Sequence, residues 1–271
     1  MYFIKNQIPK SVHHTFFFIF HVSNVEKINF RVNSEIQFML KWKYRKVVNY
    51  EILKNPMGMI HVSMNKGDKV TAEAGSMVFI KGNIETVTSM RKGGFLKTLK
   101  TVALGGESFF VNNFIAREDN CTLGLTGNML GDLEVIQVNE EFIVQSGAYV
   151  ASTDDLTLDT QWQGFTKGIF GSNLFMLKTV GNGDMFVNGW GGILSINLKN
   201  GEKMTLDNYQ LVAMSASADY RIRKHGGLKT SIFGGEALVI EITGPGTIYY
   251  QTKNFTEFVR TLIPFLPRRN N

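Results

Sequence analysis

At 271 residues, 44% of them aliphatic or aromatic, the chain can bury a sizeable core, and 27 glycines against 5 prolines suit many strands joined by tight turns. A single cysteine, Cys121, excludes an intrachain disulfide and a cysteine-based zinc site, and fits a reducing, cytoplasmic setting. The net charge of +6 lies wholly in residues 1–47, where Lys5, Lys10, Lys27, Arg31, Lys41, Lys43, Arg45 and Lys46 face only Glu26 and Glu35, so no bulk positive field draws the rest of the chain to nucleic acid.

Residues 1–47 read as an atypical basic extension. TFFFIF (15–20) is shorter than the roughly 20 apolar residues that a membrane span requires, and no small-residue cleavage site follows it. The segment is expected to come from a start codon placed too early, with Val48 as the first native residue.

Beyond residue 50 apolar and polar residues alternate in short runs separated by glycine-rich turns: MIHVSM, VTAEA, MVFI, IETVTS, LEVIQV, EFIVQS, ILSINL, ALVIEI and TIYYQT. This pattern predicts an all-β sandwich or barrel. Three stretches align without a gap: GDKVTAEAGSMVFI from Gly67, NEEFIVQSGAYVAS from Asn139 and GEKMTLDNYQLVAM from Gly201. Each leads into a charged strand, a glycine-lysine loop and a strand of buried character. The expected architecture is three tandem β-sandwich repeats (about 50–126, 127–193 and 194–253) in a pseudo-threefold arrangement. NFTEFVRTLIPFL then predicts a helix within 254–266, with Asn254 as cap and Glu257 at the capping-box position. Its face of Phe255, Phe258, Val259 and Leu262 is expected to pack on the sheet until Pro264 ends it.

The loop GGLKTSIFGGE (226–236) resembles a phosphate loop only superficially. Leu228, not glycine, precedes Lys229, and a strand rather than a helix follows, so no helix N-terminus is available to an anion. Phe165-Thr166-Lys167 and Leu96-Lys97-Thr98 stand at the matching places, which makes the element a connection repeated three times.

The stretches VTAEAGSMVF, GGESFF, EFIVQSGAYVAS, GGLKTSIFGGEALVIEITGPGTIYYQT and PFLP make the chain, from about Asn49 to Pro267, resemble the mitochondrial-biogenesis family called altered inheritance of mitochondria. The resemblance implies a threefold-duplicated β-sandwich related to the tryptophan RNA-binding attenuator protein. It implies no catalytic residues, and it links the eukaryotic relative to organisation of the mitochondrial inner membrane.

The residues themselves offer little chemistry. His61 and His225 have no metal-ligand spacing, no G-x-S-x-G elbow is present, and Cys121 reads as a structural thiol. The pairs Asp154-Asp155 and Glu140-Glu141 fall in predicted turns. Arg221, Arg223 and Lys224 near Tyr220 could suit RNA, but Asp159, Gln161, Glu85 and Thr86 stand at the matching places, which disfavours nucleic acid. The expectation is a non-enzymatic scaffold or binding protein without cofactor or metal, with an RNA or small-ligand binder as the alternative. Its candidate interaction residues are Phe95, Leu96 and Lys97, then Phe165, Lys167 and Phe170, then Leu228, Lys229 and Phe233: apolar groups beside lysines that suit a protein partner or an anionic membrane surface. A homo-oligomer is compatible with the same reading.

Overall fold

The computed structural model describes residues 48–53, 56–90, 110–153, 155–159, 176–224 and 238–266. The extension at 1–47 and the three glycine-lysine connections lie outside them. Alternation makes strands because successive side chains of an extended chain point to opposite faces. MIHVSM accordingly buries Ile60, Val62 and Met64 and turns Ser63 outward.

After β1 (Asn49–Leu53) the strands fall into three successive sets. The first is β2 (Met59–Met64), β3 (Lys69–Glu73), β4 (Met77–Lys81), β5 (Ile84–Met90), β6 (Phe110–Ala116) and β7 (Cys121–Leu125). The second is β8 (Leu133–Val138), β9 (Phe142–Gln145), β10 (Tyr149–Thr153), β11 (Leu156–Asp159), β12 (Met176–Gly181) and β13 (Gly183–Asn188). The third is β14 (Ile193–Leu198), β15 (Lys203–Asp207), β16 (Leu211–Ser215), β17 (Asp219–Lys224), β18 (Leu238–Thr243) and β19 (Gly246–Gln251). Helix α1 (Phe255–Leu262) follows, then a 3-10 turn over Ile263–Phe265 that contains Pro264.

One pairing pattern serves all three sets, and every pair is antiparallel. The first and third strands flank the sixth: β2 and β4 on β7, β8 and β10 on β13, β14 and β16 on β19. The second and fourth flank the fifth: β3 and β5 on β6, β9 and β11 on β12, β15 and β17 on β18. A bulge interrupts each third strand at the same place, between Met77 and Phe79, Tyr149 and Ala151, and Leu211 and Ala213.

The sets are joined through their sheets. β3 pairs with β10, placing Ala72, Thr71 and Val70 opposite Ala151, Ser152 and Thr153. β9 pairs with β16, placing Val144, Ile143 and Phe142 opposite Ala213, Met214 and Ser215. Two six-stranded sheets result, β5-β6-β3-β10-β13-β8 and β11-β12-β9-β16-β19-β14, with end sheets β1-β2-β7-β4 and β15-β18-β17. Each six-stranded sheet thus takes half its strands from one set and half from the next.

Three apolar cores lie between these sheets. The first gathers Ile60, Leu123 and Phe114 with Phe186, the middle one Val138, Leu156 and Leu177 with Val212, and the third Leu211, Ile240 and Ile248 with Ile143. Burying one such side chain contributes about 1.5–3 kcal/mol relative to exposure. Inside the six-stranded sheets, where apolar partners lie on both faces, alternation is lost in β9, β10, β13 and β16, which are buried at every residue. Neighbouring residues there serve different cores, Phe142 and Val144 the middle one and Ile143 the third.

The entries to the three sets meet one another. Met57 N–H donates to the Gly131 carbonyl (2.8 Å), and Gly131 forms a parallel bridge with Gly191, where Asp132 N–H donates to the Gly191 carbonyl (2.8 Å). A Cβ on Gly131 would stand 2.1 Å from that carbonyl oxygen, so only glycine fits this approach.

Candidate interaction surface

The chain leaves β5, β11 and β17 for the three glycine-lysine connections and returns in β6, β12 and β18. Each connection therefore joins the fourth and fifth strands of its set. Phe95, Leu96, Lys97, Phe165, Lys167, Phe170, Leu228, Lys229 and Phe233 all lie in these connections, outside the described residues, as does His225; Asp154, between β10 and β11, lies outside them too.

The polar residues singled out from the sequence are held by structural contacts. Glu140 Oε1 accepts from Ser215 Oγ (2.7 Å), and Glu141 pairs with Lys178 Nζ (2.8 Å). The Cys121 thiol is buried at the start of β7 and faces the carbonyls of Asn83 and Glu118 (3.6 and 3.4 Å). His61 lies beside the ring of Phe79, with centroids 6.1 Å apart. Arg223 pairs with Glu241 (3.2 Å) on the neighbouring strand, and Glu85 with Arg117. Burial first, and the Asp219 carboxylate second, push the Tyr220 phenol above its ordinary pKa. Among the described residues no cluster of His, Cys, Asp or Glu has the arrangement of a metal site.

Buried polar side chains converge at the junctions instead. Tyr149 Oη donates to the Thr71 carbonyl (3.1 Å), and Thr153 Oγ1 accepts from Asp184 N–H (3.0 Å). Asn188 Oδ1 accepts from Met129 N–H (2.6 Å) while its Nδ2 donates to the Asp132 carbonyl (3.0 Å). Gln251 Oε1 accepts from Trp190 N–H (2.9 Å), and its Nε2 donates to the Tyr209 carbonyl (2.9 Å). Asn188 and Gln251 are the last residues of equivalent strands, β13 and β19, and each binds the turn that leads into the first strand of its own set, β8 or β14.

Helix α1 departs from expectation. Asn254 caps it as the sequence predicts, its Oδ1 accepting from Glu257 N–H (2.9 Å). Yet no residue of the helix is buried, and Phe255, Phe258, Leu262, Ile263, Phe265 and Leu266 remain exposed. Its main aromatic contact is Trp190, whose ring lies 5.4 and 5.3 Å from those of Phe255 and Phe258. The physical reason is that the sheets already supply the cores, so among the described residues a helix added after β19 has its ring contacts with the turn before β14. Sequence reasoning passed over Trp190 because it sits within the glycine-rich turn GWGG. The available signal was a lone aromatic in such a turn together with phenylalanines at helical spacing further on.

The pairing pattern and the bulges define a class of all-β proteins built from repeated six-strand sets that share sheets. This chain belongs to the mitochondrial biogenesis AIM24 family, whose profile matches residues 50–253. An uncharacterised protein of Streptococcus pyogenes serotype M6 is 31% identical over 222 residues, covering 79% of this chain and 88% of the relative. The X-ray crystal structure of a Streptococcus pyogenes protein is similar with a TM-score of 0.66 at 26% identity, covering 81% of this chain and all of that one. Among the described residues no helix is long and apolar enough to cross a membrane.

Proposed function

We propose that the chain is a tandem triplication of one β-sandwich and acts as a non-catalytic scaffold in the cytoplasm, touching an anionic membrane surface through its three glycine-lysine connections. The observation that carries the scaffold reading is the use made of the buried polar side chains. Tyr149, Thr153, Asn188 and Gln251 are bonded to backbone groups of neighbouring strands and turns, the arrangement of groups that hold a frame together. The surface reading is supported by composition: each connection sets phenylalanine or leucine beside lysine, the pairing that inserts apolar groups while attracting anionic headgroups.

Two measurements test it. Flotation with anionic vesicles should carry the full chain upward, and Leu228→Asp with Phe233→Asp should abolish that; failure of the wild type to float overturns the membrane contact. A thermal-shift screen of divalent metals, nucleotides and organic acids should leave the melting temperature unchanged. A reproducible rise with any of them overturns the scaffold reading.

A further inference from the structure

Val78 and Val150 occupy the same place in equivalent strands, one residue after the start of the bulge, yet Val78 is 50% exposed and Val150 1%. Their neighbours differ. β10 has β3 on its outer side and β16 has β9, whereas β4 ends its sheet among the described residues. The complementary edge is at the other end of the chain. β3 and β9 are covered by β10 and β16, whereas β15, their equivalent, ends the three-stranded sheet among the described residues. One chain therefore carries both halves of a third junction of a kind it makes twice internally.

We propose that β15 of one copy pairs antiparallel with β4 of a second copy, in the register of the internal junctions. That register sets Leu206 opposite Phe79, Thr205 opposite Ile80 and Met204 opposite Lys81. The internal junctions also say what such pairing buries. Val150 and Ala151 enter the core of the preceding set, and Val212 and Ala213 enter the middle core in the same way. By the same rule Val78 and Phe79 enter the third core of the neighbouring copy, where Met204, Tyr220 and Ile222 are only partly buried. Edge strands of proteins that stay apart are usually blunted by charge, proline or brevity. Strand β4, Met77-Val78-Phe79-Ile80-Lys81, has one lysine, at its far end, and no proline. Because the two edges differ, the contact is heterologous and builds a ring or a filament rather than a twofold dimer. The inference rests on the strand equivalence and not on membrane contact, so a failed flotation leaves it standing.

The test uses the full chain. In sedimentation, wild type should give species heavier than the 30.5 kDa chain, growing with concentration. Val78→Lys on one edge and Thr205→Lys on the other should each return it to single-chain mass with an unchanged circular dichroism spectrum. Lys81→Cys and Met204→Cys variants, mixed and oxidised, should form a disulfide-linked pair of chains that neither forms alone, since directly opposed strand residues lie within disulfide reach. Wild type sedimenting as a single chain at every concentration, no cross-link in the mixture, or a Lys81→Cys/Met204→Cys double variant that closes within one chain overturns the proposal.

Discussion

The phenol of Tyr149 donates to the backbone carbonyl of Thr71 across 3.1 Å, tying the second strand set to the first at the point where β10 and β3 pair. Tyr149 is fully buried in the middle core, while Val150 and Ala151, displaced by the bulge, face the first. One side chain thus fixes both the junction and the side of the sheet to which each neighbour points.

Replacing Tyr149 with Phe keeps the ring and removes the hydroxyl. Ser152 Oγ, 2.9 Å from that hydroxyl, still has the Leu156 carbonyl as acceptor, so the main loss is the bond to Thr71. The expected effect is a decrease of about 1–3 kcal/mol in unfolding free energy, read as a lower denaturation midpoint at unchanged slope. An unchanged midpoint would contradict the assignment.

Gly131→Ala and Gly201→Ala should part company. At Gly131 the new Cβ would meet backbone atoms of Gly191 and Gly189 at 2.1 and 2.4 Å, and backbone cannot move aside as a side chain can. A loss beyond about 4 kcal/mol, or no soluble protein, is expected. Gly201 has φ +76° and open space around the added Cβ, so the cost is conformational alone, about 1 kcal/mol. Thermal unfolding of both variants checks the ranking.

Trp190→Ala should free helix α1 without disturbing the sheets, because the rings of Phe255 and Phe258 lose the indole they lie tilted against. Hydrogen exchange should accelerate across 255–262 and stay slow in β9 and β16. Asn254→Ala should weaken the same helix by about 1 kcal/mol through loss of its cap. Acceleration that spreads into the sheets would mean that Trp190 supports the cores.

Stability should fall at high pH. Burial first, then the Glu134 charge, raise the Tyr249 phenol above 10.0, and burial with Asp219 does the same to Tyr220. Below pH 10 both phenols are protonated, folded or unfolded, and contribute no slope. Above it the unfolded chain releases protons that the folded chain retains, so stability declines as pH rises. Denaturant midpoints on either side of pH 10 should show the drop, and Tyr249→Phe should shrink it.

Much of this fold is legible in the sequence. The alternation of MIHVSM marks a strand with one buried face, and the alignment of Gly67, Asn139 and Gly201 marks the entries to β3, β9 and β15. Less legible was which strands share a sheet across sets, because β3 meets β10 only after a long stretch of chain. Yet that information was present in composition. FIVQ of β9, inside its sheet, is apolar at three of four positions, as a strand covered on both faces must be, while the equivalent KMTLD of β15, at the end of its sheet among the described residues, keeps Lys203, Thr205 and Asp207. The fate of α1 was not legible, since a helical apolar face looks alike whether a core remains open to receive it or not. The interaction residues chosen from the sequence all fall in the connections, where alternation offers no guide.

Sharing sheets between successive sets has a consequence for how such a gene can change. Because β3 receives β10 in the register with which β9 receives β16, recombination that removes or inserts a whole six-strand set creates no contact the chain does not already make. An exchange that cuts within a set leaves a strand facing an edge of the wrong kind. Length in this lineage is therefore expected to vary in integral steps, as in a chain of identical links.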